Sequence, residues 1–201
     1  MTQLIHTNDV IEPAIRRELT IHVDEFSWSA TMPVHNEKAY YEASHQIEFR
    51  GFYRMSKNNR GRLYGIEFNG CGDSTDICNK GIGSYVVAQT LIALLEYFEA
   101  RFGQECDFNM VGFLCCEFDA YTVNSHNRRV HFCRKFGLKL EDPLDRHSVF
   151  FGLLRNSASH AQSYLIGQKK VTPLNRAGYH LSTYPSIKLV EMGGLRSKYR
   201  S

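Results

Sequence analysis

One change of periodicity constrains this chain more than any other feature. Ile47, Phe49, Gly51, Tyr53 and Met55 alternate with Glu48, Arg50, Phe52 and Arg54, and Arg62 to Asn69 resume after a polar turn from Ser56 to Gly61. Alternation around a turn rich in Asn and Gly predicts an antiparallel hairpin. The period then lengthens. Val87, Leu91, Leu94, Leu95 and Phe98 recur at helical spacing, and Gly103 is a stop signal, so a helix is expected over about Gly83 to Phe102. Phe108 to Phe118 follows as a nearly continuous apolar run, short and rich in strand formers. It reads as a central strand covered on both faces, which suggests parallel pairing. A hairpin feeding a helix that returns to a buried strand excludes all-helical and all-sheet architectures.

The other segments fit that frame. Leu19, Ile21 and Val23 alternate with Thr20 and His22 as a half-buried strand. Trp28 to Ala43 has no clear pattern, apart from a short helix suggested near Glu37 to Ala43. Ser125 is placed to cap a second helix, His126 to Phe136, with Val130, Cys133 and Phe136 inward and Gly137 as its end. Leu138 to Leu140 and Ser148 to Leu154 read as two strands around the turn Asp142-Pro143-Leu144-Asp145. The expected class is α/β: a mixed, centrally twisted sheet with helices on both faces. Periodicity fades after Arg155, so residues 1–155 are expected as the domain and 156–201 as a basic extension packed on it.

Composition narrows the function classes. With 43% hydrophobic and 22% charged residues in 201, the chain is an ordinary globular one and wholesale disorder is excluded. No apolar stretch approaches a membrane span, and Met1 to Glu12 lacks the apolar core of a signal peptide, so a cytoplasmic protein without membrane contact is expected. The six cysteines include no CxxC pair, and no His/Cys spacing suits a metal, so no metal site is expected. Charge is uneven. From Arg155 onward eight basic residues face only Glu191, a net +7 that leaves −4 for the rest of a chain whose total is +3. That asymmetry, interleaved with Tyr164, Tyr179, Tyr184 and Tyr199, points to an anionic partner such as nucleic acid through the tail. The competing reading is an extension that completes the domain.

The sharpest local motif is Asn79-Lys80-Gly81-Ile82-Gly83-Ser84 at the entry to the long helix. Glycines let a backbone approach a ligand closely, and a helix N-terminus offers free N–H donors and a positive dipole end. Such an entry suits a pyrophosphate, with Lys80 adding charge. It is not a Walker A loop, which needs Gly-Lys followed by Ser or Thr after the right glycine spacing, nor a dinucleotide fingerprint, whose third glycine position is Val86.

Hairpin strand, loop, Lys-Gly-Ile-Gly-Ser, long helix, apolar strand, short helix and Lys135-Phe136-Gly137-Leu138 occur in one order. From Arg62 to Arg155 this arrangement resembles the GNAT superfamily of N-acetyltransferases. The family's cofactor motif, Gln or Arg, two residues, Gly, one residue, then Gly or Ala, falls on Cys78 to Gly83. Both glycines match, and Cys78 replaces the leading Gln or Arg. The family's Tyr-Glu-Lys-Leu-Gly-Phe segment reads Cys133-Arg134-Lys135-Phe136-Gly137-Leu138.

The resemblance implies an acyl-CoA-dependent N-acyltransferase that moves an acetyl group from acetyl-CoA to an amine, on a small molecule or a protein. CoA would be held by Cys78, Asn79, Lys80, Gly81, Ile82, Gly83 and Ser84, between splayed parallel strands. Cys133 stands where the family often has the tyrosine that protonates the leaving thiolate, and it also lies on an apolar helix face. Glu67, on the strand before the loop, is the candidate general base, with Glu117 and Asp119 as rivals. The alternatives are a catalytically silent binding or regulatory protein of the same fold, and an acyltransferase acting on aminoacyl-tRNA. A homodimer is left open.

Overall fold

The computed structural model describes residues 19–34, 45–56, 59–69, 81–114, 123–145, 147–170 and 187–191. Eight strands form one mixed sheet. They are β1 (Leu19–Val23), β2 (Ser27–Val34), β3 (His45–Met55), β4 (Arg60–Asn69), β5 (Asp107–Phe113), β6 (Lys139–Leu140), β7 (Val149–Leu153) and β8 (Ile187–Glu191). Three helices, α1 (Ile82–Phe102), α2 (Val123–Lys135) and α3 (Leu154–Lys170), complete the described fold. The spatial order is β6-β7-β5-β4-β3-β2-β1-β8. Neighbours are antiparallel except β4 with β5 and β1 with β8, which are parallel.

Alternation decides which side of each strand is buried. Ile21 sits opposite Ala30, Ala30 opposite Phe49, Tyr53 opposite Leu63, Leu63 opposite Met110, and Gly112 opposite Phe150. All of these are buried and lie on one face. The helices pack on that same face. Phe98 of α1 stacks on Phe108 and tilts against Tyr53; Phe132 of α2 meets Phe68 of β4; Phe136 meets Tyr164 of α3. The expected arrangement with helices on both faces is therefore corrected: among the described residues the sheet has one helical layer. β5 shows why the pattern misled. Its apolar run is covered on one face, where Phe108, Met110 and Gly112 point, while Phe113 on the other is 64% exposed. Its pairing is parallel to β4 and antiparallel to β7.

The hairpin of β3 and β4 forms as expected, with Asn59 at φ 56° in its turn and Ser56 Oγ donating to the Arg60 carbonyl at 2.6 Å. α1 begins one residue before its expected start and ends where Gly103 turns at φ 96° and donates to the Glu99 carbonyl. The helix suggested near Glu37 to Ala43 lies outside the described residues. β2 escaped the pattern because its buried series, Trp28, Ala30 and Met32, is interrupted by a small residue and followed by Pro33.

The boundary expected after Arg155 falls inside the first turn of α3, and β8 extends the sheet beside β1. The described parts of the segment after Arg155, α3 and β8, thus belong to the same helical layer and sheet. α3 lacks a strong apolar stripe because it meets α1 through small residues. Ser157, Ala158 and Ala161 are fully buried. Arg155 clamps the helix start to the end of α1, pairing with Glu99 at 2.6 Å and donating to the Gln104 carbonyl at 2.6 Å. A chain ending at Arg155 would lose the cover over α1 and the strand beside β1. It is expected to aggregate in size-exclusion chromatography; a soluble, cooperatively melting product would contradict this packing. No described helix is long and apolar enough to cross a membrane.

Candidate functional site

The candidate site is where β4 stops, α1 starts and α2 ends. β4 pairs with β5 from Arg60 opposite Asp107 to Ile66 opposite Gly112, with a register shift between Leu63 and Ile66. Gly65 sits in that shift at φ 57°, a conformation that glycine tolerates. β4 then runs on to Asn69 without a β5 partner, while β5 continues against β7 through Phe113 opposite Val149. The two parallel strands therefore stop pairing while β4 still has three residues to run.

Gly81 precedes α1 at φ 78° and ψ −1°, and its carbonyl accepts from Tyr85 at 2.9 Å. The N–H groups of Ile82, Gly83 and Ser84 come before that first intrahelical bond. No side chain caps the helix and its first turn contains no acidic residue. Into this end reaches Lys135, the last residue of α2. Its Nζ donates to Ser84 Oγ at 3.0 Å and lies 5.1 Å from the centroid of the Tyr164 ring. Tyr164 also hydrogen-bonds Ser84. Burial lowers the Lys135 pKa, and it raises that of Tyr164 against the opposing effect of the Ser84 bond. Among the described residues Lys135 makes no ion pair. An ammonium beside the positive end of a helix, with no carboxylate among the described residues to balance either, is a locus that an anion stabilises.

The two glycines of the motif differ in role. A Cβ on Gly81 would lie 3.3 Å from the Tyr164 hydroxyl, at the polar cluster. A Cβ on Gly83 would lie 2.7 Å from Cζ of Phe68. Gly83 is small because β4 packs a ring against the helix there, not only because a ligand must approach. Phe68 belongs to an aromatic chain through Phe132 to Phe136, with ring centroids 5.4 and 5.1 Å apart, which ties β4 to α2. Cys78, Asn79 and Lys80, together with Glu117 and Asp119, lie outside the described residues, as does the side chain of Ile82.

The two proposed catalytic residues are not brought together. Cys133 lies in the helical layer, 5% exposed, and burial pushes its thiol up to about 12. Glu67 projects from the opposite face of the sheet, exposed, and its Oε2 accepts from Arg50 Nε at 3.0 Å and Nη2 at 2.8 Å. Arg50 is held by Glu48 as well, at 3.6 Å, and its pKa is raised, chiefly by the Glu67 hydrogen bond. Glu67 follows the last β4–β5 pair, so it stands at the edge of the parting strands. His126 Nε2 donates to the Pro143 carbonyl at 2.8 Å, a turn contact. No group of three or more His, Cys, Asp or Glu among the described residues is arranged to hold a metal ion.

The buried thiol has a consequence at high pH. The unfolded chain ionises Cys133 near 9.0, whereas the folded chain resists until about 12. Its stabilising contribution is complete below pH 9 and is lost as pH climbs toward 12. Tyr53, raised from 10.0 to about 12 mainly by burial, adds a second loss beginning near pH 10. Cys133→Ala is expected to lower stability at pH 7 by about 1 kcal/mol and to flatten the fall between pH 9 and 10. Melting temperatures across pH 7–11 check this; an unchanged alkaline slope in the variant would contradict it.

Lys135 and Tyr164 were not singled out for this site by sequence. Lys135 lies within the Cys133–Leu138 segment, but only folding brings it to Ser84. Tyr164 belonged to the tail until α3 placed it against the entry of α1. Comparison with protein-family models, curated proteins and solved structures found no match, so topology and side-chain chemistry are the grounds for a functional reading.

Proposed function

We propose that the chain is an acyl-CoA-dependent N-acyltransferase that uses acetyl-CoA to acylate an amine. The observation that carries this reading is the joint placement of a helix N-terminus and Lys135, neither balanced by a carboxylate among the described residues, beside parallel strands that cease to pair at Ile66 and Gly112. The residues fit an anionic group at α1. Gly81 keeps a Cβ out of the polar cluster, Ser84 and the first-turn N–H groups donate, and Lys135 supplies charge. The thioester, when bound, supplies the activated acyl group.

The chain's own contribution is positioning and proton transfer. On its β5 side the β4 backbone from Glu67 to Asn69 has no ladder partner, while β3 pairs its other edge, so it offers groups to a carbonyl at the gap. Glu67, reachable from the open face and held by Arg50, takes a proton from the incoming amine. Cys133, buried with a strongly raised pKa, packs the core and leaves the leaving thiolate to be protonated by another donor. That last point favours a second reading, a CoA-binding protein without transferase activity. Incubation with acetyl-CoA and a library of primary amines, followed by mass spectrometry of products, separates the two. An acetylated amine supports transfer. CoA binding without any product gives the silent reading, and neither binding nor product overturns both.

A further inference from the structure

The sheet face turned away from the helices carries groups that cost the fold stability and that acyl transfer does not use. Phe52 of β3 stands directly opposite Tyr64 of β4, with rings stacked at 5.7 Å and 27°, and the residues are 50% and 40% exposed. Arg54 stands directly opposite Arg62 one step along the same hairpin. Like charges facing each other across strands are destabilising, and neither guanidinium makes an ion pair among the described residues. Further across the sheet Asn109 adjoins Arg62, Val111 adjoins Phe151, and Lys139 adjoins Phe151 from its other side. Phe151 and Leu153 are both more than two-fifths exposed.

The backbone is shaped to present this row. The bulge at Gly65 lets the Phe52 ring lie over the chain, since a Cβ there would stand 3.0 Å from Phe52 Cδ2. From Phe52 on β3 to Phe151 on β7 the row crosses four strands, about 15 Å at ordinary strand spacing. That is room for about two or three bases. Two carboxylates on this face are held by a neighbouring guanidinium and a third by backbone. Glu48 and Glu67 hold Arg50, and Asp107 accepts from the Phe108 N–H.

We propose that this open sheet face binds single-stranded nucleic acid, with bases stacking on Phe52, Tyr64 and Phe151 and phosphates meeting Arg54 and Arg62. The complementarity is specific to that chemistry. An apolar protein surface docked here would bury two guanidiniums that no described carboxylate balances, and a duplex keeps its base faces inside its own stack. A single strand offers π-faces and negative charge together. The cations belong to the sheet and not to the basic tail, and the site holds whether or not the chain transfers an acyl group.

Fluorescence anisotropy of the full chain with a labelled mixed-sequence RNA of about 12 nucleotides, the matching single-stranded DNA and the matching duplex tests this. Both single strands are expected to bind at least about tenfold more tightly than the duplex, and a preference between them identifies the natural class. Phe52→Ala and Tyr64→Ala should each weaken binding about tenfold with little change in salt dependence. Arg54→Ala and Arg62→Ala should each reduce the salt slope by about 0.7. Arg134→Ala, on the helical layer, should bind as the parent does. All five positions are exposed, so circular dichroism should report intact folds. Equal affinity for the duplex, unchanged binding in the face variants, or no single-strand binding at low salt overturns the proposal. Self-association lost in the same variants, without oligonucleotide binding, would assign the face to a second copy of the chain.

Discussion

Phe98→Ala is expected to remove about 3–5 kcal/mol of folding stability, the largest loss from a single truncation in this fold. Phe98 is fully buried near the C-terminal end of α1. Its ring stacks on Phe108 at 4.2 Å and 16°, meets Tyr53 at 4.9 Å, and reaches Phe102 at 6.0 Å. These contacts join α1 to β5 and β3, the two strands that flank β4. Because Phe108 fills the space above Gly61, where a Cβ would lie 2.2 Å from its ring, the neighbours are held in place and collapse into the cavity is limited. A domain of this size has about 5–15 kcal/mol in total, so the variant should unfold at much lower urea. Phe102→Ala, at a half-buried position, should cost clearly less. A loss under about 1 kcal/mol for Phe98→Ala would show that the α1–β5 packing is not the core described.

Glu67→Gln is expected to lower acyl transfer by about 10²–10⁴-fold while leaving CoA affinity and melting temperature near those of the parent. The amide oxygen can still accept from Arg50, so the side chain keeps its place and loses only its capacity to take a proton. The exposed ion pair itself contributes little to stability, which keeps the readout clean. The rate is measured with whichever amine the product screen yields. A variant with undiminished turnover removes Glu67 from the reaction and leaves the base to another group.

The strands and α1 were legible because large apolar residues mark their buried sides. Leu19, Ile21 and Val23 alternate; Val87, Leu91, Leu94 and Phe98 recur at helical spacing. α3 was not legible, because a helix that approaches another closely needs Ser157, Ala158 and Ala161 at the contact, and small residues leave little hydrophobic period. The open face was misjudged for the opposite reason. Val111 and Phe113 look like core residues in the run Phe108 to Phe118, yet they project from the uncovered side of β5. At the candidate site, Gly81 and Ser84 were visible as a glycine-bearing helix entry. Lys135 and Tyr164 come from two other helices, and nothing in linear spacing brings the end of α2 and the middle of α3 to the start of α1. Glu67 was visible as a carboxylate in a strand, but its engagement with Arg50 depends on the hairpin register.

The central claim, that the N-terminal end of α1 receives the anionic part of CoA, is tested most directly by calorimetric titration of the full chain with CoA and with acetyl-CoA, in the parent and in Lys135→Ala. Saturable binding of both ligands by the parent is expected, with affinity about tenfold lower in the variant, as for loss of one charged hydrogen-bond donor. Binding that is absent in the parent, or identical in a folded Lys135→Ala chain, would contradict the assignment.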